Sequence, residues 1–267
     1  MTLDIHVPAG TTGHDRLSVD ISAADAGWDS SGLRVAVLAA GESVRLETGG
    51  TELLVLPLAG GCRIEAGDRS YDLAGRDSVF TQITDYLYVP RNTVCTVTSE
   101  GGGRFALPSA VAERDLPVRR FGRERVGVTI RGAGDCSRQV NNYALNNGVE
   151  TSHLLVTEVL TPGGNWSSYP AHKHEEFSEV ERELEEIYYF EIAPSPTGGP
   201  GFGLHRTYAS DPERPIDLCV EVHDGDVALV PHGYHGPCVA APGYDMYYLN
   251  VMAGPEEDPC LLYTSLM

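Results

Sequence analysis

Turn signals recur so closely along this chain that only short strands fit between them. Gly49-Gly50, Gly60-Gly61, Gly67-Asp68 and Gly101-Gly102-Gly103 interrupt the first half, and such pairs release the backbone into turn conformations. The apolar runs they leave are brief: Leu33 to Leu38, Glu52 to Pro57 and Val94 to Thr98. The second half repeats the pattern at 154–160, 187–192, 203–208, 218–222, 227–230 and 246–252. Long helical periodicity is scarce, and 30 Gly with 17 Pro favour turns. The expectation is an all-β chain whose short strands close into barrels or sandwiches, which leaves few exposed edges.

A chain of 267 residues exceeds one small domain. A weak internal repeat suggests how it divides. Gly75-Arg76-Asp77 runs through to Val89-Pro90, and Gly225-Asp226-Val227 runs through to Val230-Pro231-His232-Gly233. In both, a Gly leads into an apolar strand that ends at Val-Pro. Two similar β-domains are therefore expected, residues 1–115 and 116–267, with 108–150 containing the connection. Between Met1 and Asp115 the histidines are His6 and His14 alone. The first domain is expected to support an active second one.

The net charge of −19 argues against nucleic-acid binding through a basic face. It would also repel an anionic substrate, so a site for one needs its own cation. No apolar run approaches the roughly 18 residues of a membrane helix. Met1 to His6 lacks the basic and apolar segments of a signal peptide. The six cysteines are scattered without Cys-x-x-Cys spacing, and Cys95, Cys219 and Cys238 sit in strand-like surroundings. They are expected to be reduced, mostly buried thiols of a cytoplasmic protein.

The chemistry concentrates in two places. His172-Lys173-His174 puts two imidazoles on one strand face, because residues i and i+2 point the same way. Glu185 or Glu186 opens the next apolar strand. About fifty residues on, Asp224-Gly225 leads to Pro231-His232-Gly233-Tyr234-His235, and His235 supplies a third imidazole. Three imidazoles and a carboxylate form a metal site with open positions, the mark of catalysis rather than structure. Glu175 to Glu183 reads as a solvated acidic segment, His223 as an exposed residue, and His205 as a residue near the site.

These motifs resemble the cupin signature, Gly-x5-His-x-His-x(3,4)-Glu followed by Gly-x5-Pro-x-Gly-x-x-His. The spacing departs from the general pattern. Gly164 stands further from His172, the gap from His174 to Glu185 is longer, and Tyr234 alone separates Gly233 from His235. The wording at 164–174, Leu184-Glu185-Glu186-Ile187-Tyr188-Tyr189-Phe190, Gly201 to Tyr208, Val230 to Pro237 and Tyr247 to Pro255 resembles the 5-deoxy-glucuronate isomerases of inositol catabolism. Arg131-Gly132-x-Gly134-x-x-x-Arg138-x-Val140 extends the match upstream.

The resemblance implies two cupin barrels, the first without metal ligands. It also implies an aldose–ketose isomerase acting on 5-deoxy-D-glucuronate, a small anionic sugar acid, through a metal-assisted enediol. Alignment with the related hexuronate ketol-isomerases makes Glu185 the fourth ligand beside His172, His174 and His235, and Glu186 would replace it if the register shifts by one. Zinc is the expected metal, with manganese, iron or nickel open. Glu186, His232, Tyr248 and Glu191 are candidate proton carriers, and Arg206 and Lys173 are candidate substrate contacts. A homo-oligomer is an expectation of the same kind. A cupin dioxygenase on the same ligands and a non-catalytic sugar-binding cupin are the alternatives.

Overall fold

In the computed structural model, residues 4–145, 147–179, 181–195 and 198–255 are described. Strands dominate, and among the described residues the one α-helix is the single turn Ala23–Ala26. All strand pairs are antiparallel, as hairpins and short connections require. The expected all-β class holds, and the expected strands fall close to their places. Gly203–Tyr208 and Val227–Val230 match to the residue, and Glu185–Ile192 begins two residues earlier than expected.

The first half forms a curled nine-stranded sheet around the long, bent strand Thr51–Ala66. The second half forms a seven-stranded sheet and a four-stranded sheet. The larger of these runs, in spatial order, His6–Val7, Val227–Val230, Glu185–Ile192, Met246–Ala253, Leu155–Thr161, Arg138–Asn142 and Gly127–Arg131. Elements cross between the halves. His6–Val7 pairs with Val227–Val230 in the second half, and Arg119–Phe121 pairs with Tyr86–Val89 in the first.

Strand alternation distributes most buried side chains among three main cores. Leu46, Val55, Ile64, Val97 and Phe105 fill the interior of the first half. Tyr188, Phe190, Val222, Cys238 and Tyr248 fill the space between the two sheets of the second half. The broadest core lies between the halves, where Leu54 and Leu56 meet Val156, Ile187, Leu249 and Val251. The strand Glu185–Ile192 is thus buried on both faces: Ile187 and Tyr189 turn toward the first half, Tyr188 and Phe190 inward.

Polar contacts stitch the same interface. Glu52, in the first half, accepts backbone N–H groups of Ser152, His153 and Leu154 at 2.7–2.8 Å. In mirror fashion Glu185, in the second half, accepts N–H groups of Asp29, Ser30 and Ser31 at 2.8–2.9 Å. Arg76 and Glu158 form a fully buried ion pair across the interface. Cys62, Cys95 and Cys238 are buried free thiols, but Cys219 is exposed. That reverses the expectation for Cys219, which lies on the outward face of Asp217–Val222, where Val222 is the buried residue. Cys260 lies outside the described residues.

Candidate metal centre and pocket

The three histidines converge. His172 and His235 exchange backbone hydrogen bonds, His172 N–H to His235 O at 3.2 Å and His235 N–H to His172 O at 2.9 Å. The rings follow the backbone, with centroids 4.4 Å apart for His172 and His235, 5.0 Å for His172 and His174, and 5.1 Å for His174 and His235. One ligand nitrogen from each lies within 4.8 Å of the others. Two glycines permit this arrangement. A Cβ on Gly233 would sit 2.6 Å from Tyr208 O, and one on Gly236 would sit 1.9 Å from Ser168 O. Both have positive φ, which glycine adopts without strain.

The carboxylate at this centre is Glu186, not Glu185. Glu186 Oε2 lies 2.9 Å from His235 Nε2 and 3.9 Å from His174 Nε2. Glu185 points to the opposite face, where the backbone of 29–31 occupies it. The strand's period of two allows no other outcome, since adjacent residues cannot share a face. Glu186 Oε2 and His235 Nε2 are cut off from solvent, and among the described residues neither has a hydrogen-bond partner despite their 2.9 Å separation. Two buried lone-pair atoms brought this close suit a cation between them.

The electrostatics agree. Burial, then the neighbouring His235, lower His172 to about 3, against a hydrogen bond to Pro170 that raises it. Burial, then His235 and His172, hold His174 well below its usual range. Neutral imidazoles keep the lone pairs a metal needs. His235 Nδ1 lies 3.4 Å from Gly233 O, which favours the tautomer with Nε2 free to bind.

Glu175 fixes the loop carrying His172 and His174 against the turn before His235. Its carboxylate accepts Gly233 N–H at 2.9 Å and the Ser210 hydroxyl, and pairs with Lys173 at 3.1 Å. Burial pushes Glu175 up, but these partners outweigh it and hold it at about 2. Part of the segment expected to be solvated is therefore structural.

Several expected contacts fall elsewhere. Lys173, expected at the substrate, is held within its own loop, where Glu175, Glu176 and Glu181 surround its ammonium at 3.1–3.5 Å. Arg206 points outward, bonded to Asp217 and stacked on Tyr208 at 5.3 Å. Its neighbours His205 and Thr207 take the inward positions, and His205 is held there by Thr207 Oγ1 at 3.0 Å and Cys238 Sγ at 3.2 Å. His232 is not in the pocket wall, and the charges acting on it are those of Arg214 and Glu175.

Glu191 faces the first half, where Arg104 binds it at 2.6 Å and Tyr189 donates at 3.3 Å. Burial, opposed by Arg104, raises its carboxyl to about 7. Between the ordinary 4.5 and 7 the folded chain therefore holds a proton that the unfolded chain releases. This contribution to stability is complete below about 4.5 and is lost as pH rises through 7. Melting of wild type and Glu191→Gln across pH 5–8 should show a steeper fall for wild type; parallel curves would refute the assignment.

Tyr248 does line the pocket, together with Tyr188, His172 and Glu186. Ser168 Oγ bridges the two phenols, 3.1 Å from Tyr248 and 3.2 Å from Tyr188. Burial raises both phenols far above their normal range, so both stay protonated. Sequence reasoning assigned no role to Ser168, Asn142, Asn250, Arg131 or Arg138, all of which line the same pocket. Arg138 lies near enough for its charge to bear on His172 and Tyr248.

Curled antiparallel sheets with a His-x-His, Glu and His cluster opening into a pocket define a cupin. Within that class, the chain belongs to the KduI/IolB family, whose profile it matches over residues 5–264. It is 40% identical to the 5-deoxy-glucuronate isomerase of Geobacillus kaustophilus strain HTA426, over 93% of this chain and 88% of that protein. An IolB-like protein of Salmonella typhimurium LT2 superposes with a TM-score of 0.87 at 37% identity, covering 96% of this chain and 95% of that one. Oxalate decarboxylase of Bacillus subtilis shares the fold alone, with a TM-score of 0.67 at 13% identity over 97% of this chain and 79% of that one.

Proposed function

We propose that this chain is a 5-deoxy-glucuronate isomerase, interconverting 5-deoxy-D-glucuronate and 5-dehydro-2-deoxy-D-gluconate in inositol catabolism. The observation that carries this reading is the buried approach of Glu186 to His235 and His174 at the wall of a pocket. Family membership and the name of the Geobacillus relative supply the reaction. The metal is a divalent ion, zinc first, with manganese, iron or nickel suited to the same donors. Buried free thiols and the acidic surface accord with a cytoplasmic protein.

The reaction moves a proton from C2 to C1 and a second from the C2 hydroxyl to the C1 oxygen. A metal held by His172, His174, Glu186 and His235 would supply Lewis acidity that stabilises an enediolate. Glu186 serves as a ligand in this scheme, not as the base. Tyr248 donates a hydrogen bond where enediolate charge develops, since its phenol is kept protonated. Ser168, within 3.2 Å of both phenols, orients the Tyr248 and Tyr188 hydroxyls by hydrogen bonding.

Metal-replete protein incubated with 5-deoxy-D-glucuronate in deuterated water should yield the ketose with deuterium exchange, followed by NMR. His172→Ala and His235→Ala should each abolish turnover and lower metal content measured by elemental analysis. Absence of product from the wild type would overturn the assignment. Oxygen consumption in its place would favour a dioxygenase.

A further inference from the structure

The geometry points to Arg131 and Arg138 as the anion-binding end of this pocket, holding the carboxylate of the sugar acid, with Asn142 and Asn250 meeting its hydroxyls. This assignment rests on the isomerase reading for the identity of the substrate, but not for the binding of a carboxylate.

Four observations carry it. First, Arg131 and Arg138 are directly opposite each other across the antiparallel hairpin of Gly127–Arg131 and Arg138–Asn142. Side chains at directly opposite positions share a face of the sheet, so both guanidinium groups can reach one anion. Second, both line the pocket that His172 and Glu186 line. Third, Arg138 has no ion-pair partner among the described residues; its Nη1 donates only to Cys136 O, at 3.0 Å. That is notable in a chain with 38 acidic residues against 19 Lys and Arg. Fourth, the wall between holds unsatisfied amides. Asn142 Oδ1 and Asn250 Nδ2 are buried without a hydrogen bond among the described residues. Thr157 pairs across the sheet with both Asn142 and Asn250, so the three side chains form one row.

The arrangement separates the work along the substrate. Hydroxyls and carboxylate are bound away from the histidines, and the C1–C2 end is left to them. A buried acceptor and donor with no protein partner would each gain a hydrogen bond from a polyol, and would reject a deoxygenated chain at the same carbons.

The test compares Arg138→Gln and Arg131→Gln with wild type, using 5-deoxy-D-glucuronate, its neutral carboxamide, and D-gluconate as a binding probe in calorimetry. Losing charge-assisted hydrogen bonds should raise KM for the acid by about tenfold or more while the carboxamide is unaffected. Metal content should stay near wild type, and Arg138→Lys should recover part of the affinity. Unchanged KM for the acid in both variants, or equal loss on acid and carboxamide with melting temperature intact, would overturn the assignment. If wild type shows no isomerisation yet D-gluconate binding is lost in Arg138→Gln, the isomerase reading fails and the arginine assignment stands.

Discussion

Glu186→Gln will lose bound metal and turnover, whereas Glu185→Gln will keep both. The two carboxylates are adjacent in sequence and opposite in role. Glu186 Oε2 sits 2.9 Å from His235 Nε2, inside the cluster. An amide there offers only a weak neutral oxygen, and metal affinity should fall by at least about a hundredfold, more than outer partners of a ligand typically contribute. Glu185 instead accepts the N–H groups of Asp29, Ser30 and Ser31. Glutamine keeps one acceptor oxygen, so part of that cradle survives and the cost is about 1–3 kcal/mol of stability. Elemental analysis and thermal melting on the same two variants separate the effects. Metal loss in Glu185→Gln, with Glu186→Gln still loaded, would invert the assignment.

That distinction could not be drawn from the sequence, and the reason is physical. A half-buried strand announces its inward face by alternating apolar and polar residues. Glu185–Ile192 is covered on both faces, so Ile187 and Tyr188 are equally apolar and no period marks the interior. His172 and His174 were legible as a pair from their spacing and His235 from the turn that begins at Pro231, although the expected strand at 172–174 is a loop held by a single bridge from His172 to His235. Arg206 misled for the opposite reason: His205 and Thr207 take the inward positions, which turns Arg206 out to Asp217. Arg131 and Arg138 were visible in the motif but lay in a Gly-rich segment that reads as a connection. The alternation of Arg138, Val140 and Asn142, which all line the pocket, was the signal that segment held. The crossing of His6–Val7 into the second half joins residues some 220 positions apart, and no local pattern encodes that.

Arg76→Met will destabilise the protein by about 3–5 kcal/mol without emptying the metal site, because it strands a buried carboxylate. Arg76 and Glu158 are both fully shielded from solvent. Besides the guanidinium, Glu158 accepts Tyr247 Oη at 2.9 Å and Asn141 Nδ2 at 3.2 Å, so its charge cannot leave the interface. Removing the arginine leaves that charge desolvated with only neutral partners. Adding Glu158→Gln removes the charge while keeping an oxygen for Tyr247, so the double variant should regain more than half of the lost stability in urea unfolding. Glu158 points toward the first half while its neighbours Thr157 and Val159 line the pocket, so the strand's period of two insulates the site from the interface. Metal content should therefore match wild type in both variants at temperatures where they remain folded. An Arg76→Met protein as stable as wild type would mean that the pair contributes nothing to joining the two halves.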